Sequence, residues 1–117
     1  MSIVNAMLVG GCVHAMIGAG VFFAKEEPHK AQIFVATILK GLLVALLVVF
    51  SLDAGVSKSL WTGAGFGLLY GLAFGMVVFL AKGAVFKSTP YLLGGSVIQG
   101  VISGALIGYF SAVVSGG

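Results

Sequence analysis

Four apolar stretches, each long enough to cross about 30 Å of hydrocarbon as a helix, leave this chain few folds to choose from. They run approximately over residues 3–24, 31–52, 60–81 and 91–114. Short polar breaks separate them: KEEPHK after Ala24, DAGVSKS after Leu52 and KGAVFKSTP after Ala81. Pro28 ends helical continuity in the first break. Connections this short force consecutive helices to lie antiparallel. The sequence therefore predicts an all-α integral membrane protein, in which residues 1–117 form one domain of four transmembrane helices in an up-and-down bundle. A transmembrane β-barrel needs alternating apolar and polar residues, and this chain lacks them.

Composition closes the alternatives. Of the 117 residues, 60% are hydrophobic and 8% charged, against roughly 25% charged in a soluble domain. Mean hydropathy is +1.20. A soluble chain this short cannot hide so much apolar surface in one core. These values exclude an ordinary soluble enzyme, a disordered chain and a disulfide-stapled secreted domain. The lone cysteine, Cys12, reads as a small packing residue.

The net charge of +3 comes from six lysines and no arginine, with no basic stripe for phosphates, so no nucleic-acid partner is expected. The charges instead read as topology. Lys25, Lys30, Lys82 and Lys87 flank the first and third breaks, whereas the second holds only Lys58. The positive-inside rule then places both termini on the non-cytoplasmic side, in a membrane of the bacterial inner type. Trp61 and Tyr109 fall near the outer interface and Tyr91 near the inner one. The first stretch lacks a basic leader and a cleavage-like site, so it reads as a retained span.

The chain also repeats itself. VFFAK at residues 21–25 matches VFLAK at 78–82, and the same offset sets Gly10 on Gly67, Gly18 on Gly75 and Lys30 on Lys87. Two further residues of offset bring ILKG at 38–41 onto VIQG at 97–100. Two tandem hairpins related by an axis along the membrane normal are expected.

Glycine spacing is the strongest local signal. Gly63, Gly67, Gly71 and Gly75 recur every four residues in the third span. Ser96, Gly100, Gly104, Gly108 and Ala112 do so in the fourth, and Gly11, Ala15 and Ala19 in the first. Residues four apart share a helix face, and faces without side chains let backbones approach closely. Such glycine zippers can close within the chain or against other membrane subunits or copies of the chain itself.

The polar residues inside the spans that could carry chemistry are Lys40, Gln99, Tyr70 and His14. Lys40 costs roughly 2.5–3.5 kcal/mol at a helix centre, whereas about fourteen Leu, Ile, Val and Phe in its span return roughly −6 kcal/mol. Insertion therefore wins. Lys40 lies about seven residues, roughly 10 Å, from the start of its apolar run, within snorkelling reach of the interface or of lipid phosphates. The repeat sets Lys40 on Gln99, so both halves put a polar group at similar depth. His14 has Gly10 and Gly18 four residues to either side. A gap there would suit a haem or chlorophyll-type macrocycle with His14 as axial ligand. The plainer expectation is a hydrogen bond from His14 to Tyr70, Asn5, Ser103 or a backbone carbonyl.

No Asp or Glu lies inside a span, which counts against an ion-carrying rotor or a proton-coupled exporter built on an embedded carboxylate. No nucleophile with its base, phosphate loop or metal cluster is visible, so no enzymatic activity is expected. Three functions remain. The first is an accessory subunit that packs by its glycine faces into a larger membrane assembly. The second is a homo-oligomeric channel or small transporter with Lys40 and Gln99 on the path. The third is a pigment-binding subunit through His14.

Overall fold

The structure, a computed structural model, describes residues 2–23, 30–55, 57–82 and 89–114. The first-break residues Lys25, Glu26, Glu27, Pro28 and His29, and Lys87 in the third break, lie outside them. The fold is all-helical, with α1 over Ile3–Gly18, α2 over Lys30–Asp53, α3 over Leu60–Lys82 and α4 over Thr89–Val114. Local chemistry explains the ends. Ser2 Oγ accepts from the Asn5 backbone N–H at 3.2 Å and caps α1. Ser59 Oγ does the same for Thr62 at 3.1 Å and starts α3. Gly55, at φ 97°, takes the left-handed conformation that follows the end of α2. Pro90 sits in the first turn of α4, where a missing N–H costs nothing.

The first predicted span is shorter than expected. Helix α1 stops at Gly18, and Ala19–Phe23 tighten into a 3-10 turn. Gly18 and Gly20 each weaken helix by about 1 kcal/mol relative to alanine, which fits the break at this point. Among the described residues, three helices, not four, are therefore long and apolar enough on their own to cross a membrane.

Contact register sets the topology. A Cβ on Gly10 would lie 2.5 Å from Ala45 Cβ and 2.7 Å from the Gly41 oxygen, and one on Gly18 would lie 2.7 Å from Thr37 Cγ2. Contact positions that rise in α1 as they fall in α2 make the pair antiparallel. Helices α3 and α4 run antiparallel in the same way. Gly63 faces Gly104 and Gly108, Gly67 faces Gly100 and Gly104, and Gly71 faces Ser96 and Gly100. A methyl on Gly63, Gly67, Gly100, Gly104 or Gly108 would collide with a carbonyl oxygen of the facing helix or its cap. Helix α3 thus packs on α4 most intimately and α1 on α2 next. Helices α2 and α4 also touch, whereas α1 and α3 do not meet among the described residues. The cross-section is a rhombus with α2 and α4 on its short diagonal.

The sequence repeat reappears as a repeat of contacts. Gly10 against Gly41 and Ala45 corresponds to Gly67 against Gly100 and Gly104. His14 against Gly41 corresponds to Gly71 against Gly100, and Gly18 against Thr37 to Gly75 against Ser96. Each pair is related by the two offsets read from the sequence.

The apolar core centres on α2: Val44, Ala45, Val48, Val49 and Leu52 are buried with Ala6 and Ile107. Phe66, Tyr70 and Phe74 cover it from α3. The outer surface is apolar as well. Trp61, Met16 and Leu80 are 82%, 77% and 77% exposed. Cys12 also faces outward and is not part of the interior packing.

Candidate functional site

Polar side chains gather in one layer between α1, α2 and α4. Helix α1 contributes His14, α2 contributes Thr37 and Lys40, and α4 contributes Ser96, Gln99 and Ser103. All but Lys40, which is half-buried, are buried. Spacing puts them there. Thr37 and Lys40 are three apart, as are Ser96 and Gln99, and Ser103 follows Gln99 by four, so each set lies along one helix face.

His14 is wholly buried. Its Nδ1 lies 2.9 Å from the Gly10 carbonyl oxygen and 3.1 Å from Ser103 Oγ. A carbonyl only accepts, so Nδ1 carries the proton and Nε2 presents a lone pair. That Nε2 has no hydrogen-bond partner, and it is the one such buried side-chain atom among the described residues. Gln99 Nε2 donates to the His14 carbonyl at 3.2 Å and ties α4 to α1. The Lys40 ammonium donates to Ser96 Oγ at 2.5 Å and ties α2 to α4. Thr37 Oγ1 donates to the Ile33 carbonyl within α2 at 2.8 Å.

Lys40 is about ten residues, roughly 15 Å, into α2. Helices α2 and α4 are both antiparallel to α1, so they run parallel. Gly18 faces both Thr37 and Gln99 Nε2. The Lys40 side chain reaches into the bundle, toward Ser96, rather than outward to the interface. Tyr70 stands apart from this layer, with its hydroxyl 2.5 Å from Ser51 Oγ.

The space beside His14 is filled. Ala45 Cβ and the Gly41 carbonyl occupy the Gly10 side, and Thr37 with Gln99 Nε2 occupies the Gly18 side. A Cβ on Gly41 would come within 2.7 Å of His14 Cβ and Cγ. The faces of the two flanking glycines, where a flat gap was expected, are therefore met by α2 and α4. The described residues hold no group of three His, Cys, Asp or Glu that would ligate a metal.

The glycine faces are likewise accounted for. Gly63, Gly67, Gly71 and Gly75 meet Gly100, Gly104, Gly108 and Ser96 of the same chain. Ser96 serves two purposes, because it packs against Gly71 and Gly75 and accepts from Lys40. Its second role was invisible in the spacing alone.

No protein-family model matches the sequence, and neither the curated proteins nor the solved structures compared with it give a match. The chemistry of the layer must carry the functional argument by itself. It offers one ammonium, several hydroxyl and amide groups and one lone-pair imidazole, with no carboxylate.

Proposed function

We propose that the chain spans a bilayer four times and admits a small polar solute to the layer between α1, α2 and α4, as a channel or small transporter. The observation that carries this reading is that half-buried Lys40 reaches into the bundle beside buried His14, Gln99, Ser96 and Ser103. An ionisable residue at that depth is costly and marks a solute path more often than it serves packing.

Several features support the membrane setting. The long axis of the molecule is 47 Å, enough for a hydrocarbon core and its headgroup regions. The α1 helix at roughly 24 Å and its 3-10 turn at roughly 10 Å together reach across as well. The apolar exterior suits lipid. Lys58 is neutralised by Asp53 at 3.4 Å, which leaves the opposite end as the basic one. Both termini then lie on the non-cytoplasmic face, with Trp61 and Tyr109 at its interface. The two hairpins with their shared contact register fit an internal duplication.

The accessory-subunit reading needs small-residue faces left over for partners. The glycine faces of α3 and α4 meet each other within the chain, so the interior site is the better-supported reading. The test is uptake by proteoliposomes carrying the purified protein. Solute entry above empty vesicles, lost in Lys40→Leu while the helical content persists, is the expected result. Uptake unchanged in Lys40→Leu would remove Lys40 from the path.

A further inference from the structure

The two hairpins share a sequence pattern but differ in conformation at one place. VFFAK at residues 21–25 corresponds to VFLAK at 78–82. Helix α3 continues as α-helix to Lys82, through the whole of its copy, whereas Ala19–Phe23 are wound as a 3-10 turn. Winding of this kind within a span often marks a hinge. Here it begins directly after Gly18, the residue that faces Thr37 and Gln99 in the polar layer.

Two contacts hold the turn against α2. Lys30 Nζ donates to the Phe22 carbonyl at 3.2 Å, and the Phe22 ring centre lies 5.3 Å from that of Phe34. Among the described residues the turn touches α1 and α2 but not α4. Helix α4 leaves a notch on that side. Gly95 lies one turn before Gln99 on the same helix face. A Cβ on Gly95 would meet nothing within 4 Å.

The register of α1 on α4 says what would fill the notch. His14 pairs with Ser103, and Gly18 lies beside Gln99. Four residues onward from Gly18 is Phe22, and four residues back from Gln99 is Gly95. If α1 continued as α-helix past Gly18, Phe22 would stay on the face of His14 and Gly18 and come to lie over Gly95. Five residues of α-helix are roughly 2.5 Å shorter than the 3-10 form and are rotated from it by roughly 100°. Such a rotation breaks both the Lys30 hydrogen bond and the Phe34 contact.

We propose that Ala19–Phe23 form a lid on the polar layer. The 3-10 turn is its open state, latched to α2 by Lys30. The α-helical extension of α1 is its closed state, with Phe22 seated at Gly95 beside Gln99. The purpose of the lid rests on the interior-path reading, whereas its motion is tested separately.

The experiment is disulfide trapping in the full chain in phosphatidylcholine bilayers, with Cys12→Ala as background. Phe22→Cys combined with Gly95→Cys reports the closed state, since a disulfide needs Cα atoms within about 7 Å. The pair should oxidise within one chain, as identified by mass spectrometry of the linked peptides. Lys30→Met should speed that oxidation by releasing the latch. Gly20→Ala should speed it about five-fold, because alanine is the better α-helix former. A pair that stays reduced in all three backgrounds, in protein with an unchanged unfolding midpoint, would overturn the lid. So would a rate indifferent to both Lys30→Met and Gly20→Ala. In proteoliposomes the disulfide should stop uptake, and a reductant should restore it. Full uptake with the disulfide formed would overturn the gating role. A disulfide that responds as expected, in a protein that takes up no solute even when reduced, leaves the motion standing and defeats the path reading.

Discussion

A missing methyl group decides how this chain packs. Lipid tails are as apolar as leucine, so helices in a membrane gain little from burying large side chains against each other. They gain from dispersion and Cα–H···O contacts at short range, which only small residues allow. Gly67 shows the limit, because a Cβ there would overlap the Gly100 carbonyl, a backbone atom that cannot step aside. Gly67→Ala should therefore destabilise by about 1–3 kcal/mol, the scale of overpacking a dense interior. Gly65 is two residues away on the same helix, and a Cβ there meets nothing within 4 Å. Gly65→Ala should be neutral or slightly stabilising, since glycine is the poorer helix former. Reversible unfolding of both variants in matched micelles checks the contrast. Equal stabilities would mean that α3 and α4 do not approach as described.

At the scale of elements, termini and faces respond to different physics. Helix starts depend on side chains a few residues away. Ser59 accepts from the Thr62 N–H, and its hydroxyl also lies 2.9 Å from Thr62 Oγ1. Ser59→Ala should cost about 1 kcal/mol by leaving that N–H uncapped, read as a lower unfolding midpoint for the whole bundle. The caps were not read from the sequence, but the extents of the helices were. The four helices, their boundaries to within two residues except at the end of α1, and the four-residue glycine spacing all follow from periodicity along one chain. The early end of α1 was not legible, because the apolar run continues through Ala19–Phe23 without a change in hydropathy. The polar layer was only half legible. Lys40, Gln99 and His14 announced themselves as polar residues in apolar spans, and Ser103 was among the partners expected for His14. The link from Lys40 to Ser96 depends on which faces of α2 and α4 meet, and that is a property of the packed bundle. The glycine faces taught the same lesson. Spacing identified them, but only the register of α3 on α4 showed that they close within the chain.

For the molecule as a whole, the two hairpins should be partly interchangeable. Lys40 and Gln99 occupy equivalent places in the repeat, and so do Thr37 and Ser96. Lys40 donates across the α2–α4 diagonal to Ser96, and Gln99 lies beside Thr37 at Gly18, the matching corner of the same layer. A lysine at either position therefore enters the bundle at one depth with a hydroxyl of the other hairpin nearby. Lys40→Gln alone should remove the charge and with it the proposed uptake of solute. The double variant Lys40→Gln with Gln99→Lys moves the charge to the equivalent corner, and it should insert with the same topology and recover a measurable part of that uptake. It forfeits the hydrogen bond from Gln99 to the His14 carbonyl, so recovery should be incomplete and accompanied by a loss of about 0.6–2 kcal/mol in stability, the range for one interhelical hydrogen bond in a membrane. Proteoliposome uptake measured with unfolding on the same preparations decides the matter. A folded double variant as inactive as Lys40→Gln would show that the path follows the individual environment of Lys40 and not the symmetry of the bundle.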